Sequence, residues 1–477
     1  MTLRVAPRKI GAWSNFPVQD CLAVRPEKVA ELRTVPTTGT LPDYVSRGMG
    51  SGYGDAALNA GSGVILHERL GRLLDFDDAT GVLTAEGGAC FADVIKTFLP
   101  RGWFLPVTPG TKFVSVGGAI AADVHGKNHH SDGSIARYVL DLELLTGTGE
   151  ILHCSREHNA DVFFATLGGM GLTGAIVSAR LQLRKVESAY LNVRYQRARD
   201  LDEALGLFAS GDQDHRFSVA WIDCLSSGKS FGRSVLMRGD HAPAASLGGR
   251  AADAPLSVSP RRRPGVPFFM PPFVLNPWSV KAFNALFYRR HHDRDTVVDY
   301  DRYFYPLDAV PHWNRFYGRR GYLQYQVVVP HASARAGLVQ LLERLVASRR
   351  ASFLAVLKAM GPESGGMLSF PTPGYTLALD LPYTGPDVLE FLRGLDEGVL
   401  DHGGRIYLAK DTCMKPATFE RMYPRVGEFR EVKAKIDPDN RFASSQSKRL
   451  GIVTTGTGSA SNGQASEAPG RVMAGVP

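Results

Sequence analysis

The stretches that decide the fold are SRGMGSGYGDAALNAGSG (46–63) and PVTPGTKFVSVGGAIAADVHGKNHHSDGS (106–134), and both predict glycine-rich loops. Glycine permits positive φ and lets backbone N–H groups approach an anion closely, so such loops suit a pyrophosphate group. Each loop taken alone is as typical of a tight turn as of a pyrophosphate-binding loop. The glycines concerned are Gly48, Gly50, Gly52 and Gly54 in the first loop and Gly110, Gly117 and Gly118 in the second. Because both loops precede one predicted hairpin, we favour a shared binding site over two unrelated turns.

The segments around these loops alternate between helix and strand patterns. Residues 89–102 (ACFADVIKTFLPRG) place apolar side chains at i, i+3, i+4 and i+7, which predicts a helix. Residues 138–155 hold two strand-like runs joined by a GTG turn, which is typical of a hairpin. Residues 190–400 have fewer glycine clusters and more β-branched and aromatic runs. For a chain of 477 residues, this change predicts two domains or one elaborated fold.

The hexapeptide GMGLTG (169–174) matches the dinucleotide-binding pattern G-x-G-x-x-G. That pattern requires a strand before it and a helix after it, because the phosphates bind at the helix N-terminus. Here a helical pattern precedes the glycines and a strand-like pattern follows them, so we reject a Rossmann-type site. We expect a turn in which Gly174 and Ile176 bring the backbone close to a flat ligand.

The composition argues against several classes of protein. A formal net charge of +8 suits nucleic acid, an anionic membrane or an anionic substrate, but no zinc-finger or RNP-like motif is present, so we expect no nucleic-acid partner. The five cysteines stand far apart without CxxC spacing and predict neither disulfides nor a metal site. The first residues lack the apolar core of a signal peptide. We expect a cytoplasmic or peripheral plasma-membrane location, with the cell-envelope face of that membrane as an alternative.

Two segments are predicted to stand apart from the core. Residues from about 240 to 295 are rich in Pro, Gly and Ala and carry Arg261, Arg262 and Arg263 before the apolar PFFMPPFVLNPW. We expect a mobile insertion over the second domain. Residues 451–477 are of low complexity and are predicted to be disordered.

The block HGKNHH (125–130) follows an apolar, glycine-rich segment. No carboxylate or cysteine accompanies it at ligand spacing, so a metal site is disfavoured. We expect His125 or Lys127 to line a polar pocket, and His129 and His130 to make local hydrogen bonds.

Two glutamines and a lysine follow a different pattern. Gln324 and Gln326 lie two residues apart in YLQYQVVVP, which places both amides on one face of a strand. They are candidate hydroxyl binders, with an ordinary surface position as the alternative. Lys410 follows the apolar run of RIYLAKDTCM, where the alternative is a solvated lysine at the end of a strand.

Taken together, these motifs resemble the vanillyl-alcohol-oxidase superfamily of FAD enzymes, and within it a subfamily that oxidises a lipid-linked ribose. The resemblance covers about residues 10–450 and rests on RGMGSGYGDAALN, the HGKNHH block, TLGGMGLTGAIV, YLQYQ, LSFPTPGYTLALD, IYLAKD and DPDNRFASSQSKRLG. It implies an α+β, two-domain fold with an antiparallel-sheet substrate domain. The FAD-binding domain would comprise residues 1–188 and a returning segment, 404–450. The substrate-binding domain would comprise residues 189–403.

The resemblance also implies a reaction. With FAD as cofactor, the ribose 2-hydroxyl of decaprenylphosphoryl-β-D-ribose would be oxidised to a 2-keto intermediate, the first half of epimerisation to decaprenylphosphoryl-arabinose for cell-wall arabinan. A partner NAD-dependent keto-reductase would complete the epimerisation. The alternatives are an aldonolactone or sugar-alcohol oxidase of the same superfamily and a non-catalytic, flavoprotein-like subunit.

Site residues carry over by their positions in the matching motifs. Some superfamily members link the flavin to a histidine in the first glycine loop, but Ser51 stands near that place, so we expect non-covalent FAD. Ala378 stands where the subfamily can carry a cysteine, so we expect no reactive thiol in the pocket. The resemblance places FAD against Gly48, Gly50, Ser51, Gly52, Tyr53, Gly54, Gly110, Thr111, Gly117, Gly118, His125, Gly126, Lys127, Ile176 and Tyr407. The catalytic set comprises Lys410, Lys127, Gln326, Gln324, Lys358 and His125.

The chemistry expected of this set is proton removal and charge stabilisation. A lysine near the substrate hydroxyl stabilises a developing alkoxide, or takes the proton if burial depresses its pKa, and we assign this role to Lys410. Lys127 would hold the substrate phosphate or polarise the flavin. Arg261 to Arg263 and the PFFMPPF segment would contact an anionic membrane surface, with a disordered solubilising loop as the alternative.

Overall fold

The computed structural model describes residues 4–259, 264–350 and 354–453. Arg261 to Arg263 and residues 454–477 lie outside these ranges. Within the described part, Ile452 and Val453 are buried, and the backbone N–H of Ile452 donates to the carbonyl oxygen of Ser447 at 2.9 Å. The prediction of disorder from residue 451 is therefore wrong for these residues.

Three sheets form in the first part of the chain. Their strands are β1 (Val5–Gly11), β2 (Val18–Val24), β3 (Tyr44–Arg47), β4 (Gly63–Leu66), β5 (Leu73–Asp77), β6 (Val82–Glu86), β7 (Trp103–Phe104), β8 (Val139–Leu145), β9 (Ile151–Ser155), β10 (Ala175–Gln182) and β11 (Arg184–Lys185). The strand orders are β1-β2-β4-β3, β5-β6-β10-β8-β9 and β11-β7. The predicted hairpin is confirmed, because β8 and β9 pair antiparallel through a short turn.

A single antiparallel sheet of eight strands dominates the second part. Its strands are β12 (Tyr190–Ala198), β13 (Phe217–Ile222), β14 (Ser234–His241), β15 (Arg294–Asp299), β16 (Tyr322–Pro330), β17 (Ala355–Met360), β18 (Gly374–Pro382) and β19 (Arg405–Ile406). The order is β15-β12-β14-β13-β17-β18-β16-β19, and every pairing is antiparallel. This sheet and the helices around it confirm the α+β class.

Helices pack around these sheets. They are α1 (Val29–Thr34), α2 (Phe91–Phe98), α3 (Val116–Ala121), α4 (His129–Asp132), α5 (Ala160–Thr166), α6 (Leu201–Gly211), α7 (Arg250–Asp253), α8 (Pro277–Arg290), α9 (Tyr300–Phe304), α10 (Ala334–Ser348), α11 (Pro386–Asp401), α12 (Pro416–Met422), α13 (Val426–Ile436) and α14 (Ser445–Arg449). The helix predicted from the apolar spacing is α2, which buries all four of its periodic apolar residues. No helix in the described ranges is long and apolar enough to cross a membrane.

The two faces of the eight-stranded sheet have different neighbours. On β16, the hydroxyl of Tyr325 donates to Asp396 of α11 at 2.9 Å, so this side chain points to the helical side of the sheet. Gln324 and Gln326 flank Tyr325 and point to the opposite face, because side chains alternate along a strand. That opposite face is turned towards the glycine-rich loops.

The C-terminal segment returns to the N-terminal part. The backbone N–H of Tyr44 donates to the carbonyl oxygen of Arg441 at 2.7 Å. At the end of α14, the guanidinium of Arg449 donates to Asp55 at 2.7 Å and to Asp411 at 2.8 Å. A single side chain therefore joins the first glycine loop to the loop that carries Lys410.

Candidate active site

A cavity of about 660 Å³ lies between the glycine-rich loops and the eight-stranded sheet. Six strands of the sheet, β12, β13, β14, β16, β17 and β18, contribute residues to its wall. The predicted site residues that line it are Gly48, Gly50, Ser51, Gly52, Tyr53, Gly110, Thr111, Gly117, Gly118, His125, Gly126, Lys127, Ile176, Gln324, Gln326, Lys358, Tyr407 and Lys410. Residues more than 350 positions apart in the chain thus meet in one site.

Gly54 is the predicted site residue that does not line the cavity. It is buried, and a Cβ atom built on it would lie 1.9 Å from the backbone carbonyl oxygen of Asp411. That Gly54 contacts the cofactor stays a prediction. The missing side chain lets the first glycine loop close against the backbone that follows Lys410.

The first glycine loop offers backbone donors to an anion. Gly50 has φ of 69°, and the N–H groups of Met49, Gly50 and Ser51 have no hydrogen-bond partner within the described residues. The hydroxyl of Ser51 donates to the carbonyl oxygen of Phe113, which ties the first loop to the second. Free backbone donors beside glycine match the chemistry of a pyrophosphate, so this loop fits the diphosphate of FAD.

The GMGLTG segment forms a turn between a helix and a strand. Helix α5 precedes it and β10 follows it, so the inverted order predicted from the sequence is confirmed. Gly174 has φ of 153°, and a Cβ atom on it would lie 2.2 Å from the carbonyl oxygen of Leu145. This close approach lets Ile176 reach the wall of the cavity, where it offers backbone and an apolar side chain to a flat ligand.

His125 is a buried neutral imidazole. The amide of Gln326 donates to its Nε2 at 2.9 Å, so the ring proton lies on Nδ1, which has no partner among the described residues. Burial first, and then the charges of Lys358, His129 and Lys410, hold the pKa of His125 well below its ordinary value. The ring also packs beside Tyr407, with centroids 5.3 Å apart, so its orientation at the cavity wall is fixed from two sides.

Three lysines converge on the cavity. Burial lowers the pKa of Lys127 to about 7, that of Lys358 to about 8 and that of Lys410 to about 7. The positive charge of Lys358 lowers the pKa of both other lysines further. The Nζ of Lys127 donates to the carbonyl oxygen of Tyr303, whereas the Nζ of Lys410 lies 4.0 Å from the centroid of the Tyr53 ring. The site is electropositive and contains amines that can lose a proton near neutral pH.

Asp380 is a residue of this region that the sequence reasoning missed. It is buried on β18 directly opposite Gln324, whose amide donates to it at 2.6 Å, and it also accepts from the hydroxyl of Tyr317 at 3.2 Å. Burial raises the pKa of Asp380 to about 6, against the opposing effects of Gln324 and Lys410. The sequence did contain a signal for this residue. Asp380 lies two residues after Ala378 on one strand, so both side chains are on the same face, and Ala378 lines the cavity.

The partners of two other histidines differ from the prediction. The backbone N–H of Gly361 donates to Nδ1 of His129, and Nε2 of His130 donates to the carbonyl oxygen of His215, both at 2.9 Å. The expectation of local hydrogen bonds is wrong, because these partners are distant in sequence. Both histidines hold the HGKNHH block against the eight-stranded sheet, since His215 and Gly361 flank its strands β13 and β17. The described residues contain no group of His, Cys, Asp and Glu side chains that would hold a metal ion.

The segment 240–295 also reaches the site, which its composition did not suggest. It contains α8, whose Phe283 and Phe287 line the cavity together with His291. The ring of Phe287 packs against Trp221 of β13 with centroids 4.6 Å apart. The insertion therefore supplies one apolar end of the cavity.

Comparisons with known proteins agree with this geometry. Residues 22–155 match the family model "FAD binding domain", and residues 380–450 match that of D-arabinono-1,4-lactone oxidase. The chain is 36% identical to the decaprenylphosphoryl-β-D-ribose oxidase of Mycolicibacterium smegmatis over 86% of this chain and 89% of that protein. It is 24% identical to the L-gulono-1,4-lactone dehydrogenase of Mycobacterium tuberculosis over 92% of this chain and 98% of that protein.

The strongest of these similarities extends through both halves of the molecule. The match to the FAD binding domain contains both glycine loops, which fit FAD, and the match over residues 380–450 contains Lys410. A match restricted to the cofactor loops would indicate only an FAD-binding protein. The chain therefore belongs to the decaprenylphosphoryl-β-D-ribose oxidase family of FAD-dependent oxidoreductases, which act on CH–OH groups.

Proposed function

We propose that this protein oxidises the ribose 2-hydroxyl of decaprenylphosphoryl-β-D-ribose to the 2-keto intermediate. The observation that supports this is the meeting of three lysines and two glutamines with the glycine loops around one cavity. Amides bind sugar hydroxyls, and ammonium groups bind a phosphate. FAD supplies the hydride acceptor when it is bound, and we propose that it binds without a covalent link.

In this proposal Lys410 takes the proton of the 2-hydroxyl. Its lowered pKa leaves part of the population as the free amine at neutral pH, and its Nζ is held over the ring of Tyr53. Gln324 and Gln326 orient the sugar, because Asp380 and His125 fix their amides. Lys127, which also lines the cavity, would hold the substrate phosphate or polarise the flavin.

The contacts of the C-terminal segment bear on how the chain is divided into domains. We propose that residues 1–188 and 404–450 form one FAD-binding domain and that residues 189–403 form the substrate-binding domain. The hydrogen bonds that Tyr44 donates to Arg441 and that Arg449 donates to Asp55 support this division. We further propose an NAD-dependent keto-reductase as partner, because the 2-ketone must be reduced to complete an epimerisation towards cell-wall arabinan.

The lipid tail of the proposed substrate implies that the enzyme works at a membrane surface, and we place it at the plasma membrane.

Oxidation of an aldonolactone is the second candidate. It is favoured by the match of residues 380–450 to D-arabinono-1,4-lactone oxidase and by the relative that is 24% identical. The relative that is 36% identical over most of both chains supports the lipid-linked ribose more strongly.

Anaerobic reduction of the flavin tests these candidates. The purified holoenzyme is mixed with a polyprenylphosphoryl ribose, L-gulono-1,4-lactone or D-arabinono-1,4-lactone, and the flavin absorbance is followed. We expect bleaching with the lipid-linked ribose only. Bleaching by a lactone alone would establish the second candidate. A colourless protein that cannot be reconstituted with FAD would be a non-catalytic subunit.

A further inference from the structure

Large exposed apolar side chains are concentrated in one stretch of the chain. Six of the twelve large apolar residues that are exposed in the described ranges lie between residues 268 and 286. Phe273 is 75% exposed and Trp278 is 82% exposed. Scattered exposed apolar residues are normal in soluble proteins, but a contiguous group marks an interaction surface. We call this group the α8 patch, and it consists of Phe268, Phe269, Phe273, Trp278, Ala282, Phe283 and Leu286.

Helix α8 turns an apolar stripe outwards. Trp278, Ala282 and Leu286 recur at i, i+4 and i+8, so they lie on one face, and all three are exposed. The opposite face buries Val280 and Asn284, and the amide of Asn284 donates to Asp223 at 2.7 Å. The helix is therefore fixed to the protein by one side, and an apolar stripe runs along its outward side.

The charge of the segment that carries the α8 patch is of one sign. Residues 254–292 contain no Asp or Glu, whereas α8 itself carries the exposed Lys281, Arg289 and Arg290. An apolar face bordered by cations is the pattern of a helix that lies in the interface of an anionic bilayer. A second copy of the chain fits less well, because it would bring the same cations together in a protein with a net charge of +8.

The α8 patch is continuous with the cavity. Phe283 lines the cavity and is also 45% exposed, so the cavity reaches the surface beside α8. Phe287 and His291, further along the same segment, line the cavity as well. We propose that α8 and residues 268–273 dock on an anionic lipid surface and hold the open end of the cavity against it. The inference rests on the proposed function, since a lipid-linked substrate then enters without its tail crossing water.

Vesicle co-sedimentation of the FAD-loaded protein tests the proposal. Vesicles of phosphatidylcholine are compared with vesicles containing about 30% phosphatidylglycerol. We expect binding to the anionic vesicles, and on the order of tenfold weaker binding for the double variant Trp278→Ser, Leu286→Ser. The matched control is Val18→Ser, Leu74→Ser, which removes exposed apolar side chains outside the α8 patch and should bind like the wild type.

Two further measurements distinguish lipid docking from an effect on catalysis and from self-association. Flavin reduction by a short-chain, water-soluble polyprenylphosphoryl ribose should be equal in all three proteins, because none of the four substituted residues lines the cavity. Failure of the wild type to be reduced would refute the proposed function and leave the vesicle result standing. The docking proposal is overturned if the wild type binds neither vesicle or if the Trp278, Leu286 variant binds equally well. It is also overturned if light scattering shows a dimer that this variant dissociates.

Discussion

Asp380 accepts a hydrogen bond from Gln324 at 2.6 Å, from directly opposite it on the neighbouring strand. The pair stands at the edge of the cavity, where Gln324 forms part of the wall and Asp380 lies buried beside it. The charge of Asp380 raises the pKa of Lys410, in opposition to burial and to Lys358. Asp380 is therefore a positioning residue that fixes one amide and sets the protonation of one amine.

The variant Asp380→Asn should shift the pH dependence of flavin reduction. In the wild type, the rate should rise with pH as Lys410 loses its proton, with a midpoint at about 7. Loss of the neighbouring negative charge removes an effect that raises the pKa, so the midpoint should fall by on the order of one unit. Stopped-flow reduction between pH 5 and pH 9, roughly the range around that midpoint, measures it.

The variant Asp396→Asn is the control for this experiment. Asp396 is also buried and raised in pKa, but it pairs with Tyr325 on the helical side of the sheet. Its replacement should leave the midpoint unchanged. An unchanged midpoint in Asp380→Asn as well would show that Asp380 has only a structural role.

Replacement of Lys410 should slow flavin reduction while FAD stays bound. General base catalysis contributes about 10²- to 10⁴-fold, and we expect a loss of this size in Lys410→Met. Lys410→Arg should be comparably slow, because an arginine keeps its proton over the whole accessible pH range. The control is Lys415→Met, on an exposed lysine nearby. A loss of less than about threefold in Lys410→Met would assign the proton transfer to another group.

A methyl group at Gly54 should destabilise the protein without entering the cavity. The Cβ atom of Gly54→Ala would meet the carbonyl oxygen of Asp411, which belongs to rigid backbone. We expect a loss of about 1–3 kcal/mol in the free energy of unfolding, which thermal denaturation detects. Gly206→Ala, on an exposed face of α6 with no atom within 4 Å of the new Cβ, should be neutral or stabilising by up to about 1 kcal/mol. Equal melting temperatures for the two variants would contradict the contact.

The buried ion pair of α13 should be required for stability. The Nζ of Lys433 donates to Asp437 at 2.5 Å, and to the carbonyl oxygens of Leu172 and Phe442 at 2.8 Å. Lys433→Met leaves the buried carboxylate without its cation, so we expect a loss of about 3–5 kcal/mol in the free energy of unfolding. Lys435 lies on the same helix as Lys433 and forms an exposed ion pair with Asp161 of α5, so Lys435→Met should cost less than about 1 kcal/mol. A similar cost for both variants in denaturant titrations would contradict this account.

The sequence predicted features that depend on local pattern. The hairpin of β8 and β9, the inverted order around GMGLTG and the common face of Gln324 and Gln326 all follow from spacing along the chain. Features that depend on which strands become neighbours were missed. Asp380 acquires its role from the register of β16 against β18, and His129 finds its donor 232 residues away. Helix α8 was missed for a different reason, because several of its apolar residues point outwards and the proline-rich residues before it are typical of a loop.

The contacts of Arg449 have a consequence for how the protein is made. This side chain joins Asp55 and Asp411 across a sequence separation of 394 residues from Asp55. During synthesis, the first glycine loop therefore lacks its contact with Arg449 until almost the whole polypeptide has left the ribosome. A nascent or truncated chain that ends before α14 would bind its cofactor more weakly than the complete chain. Such chains would also be more susceptible to proteolysis.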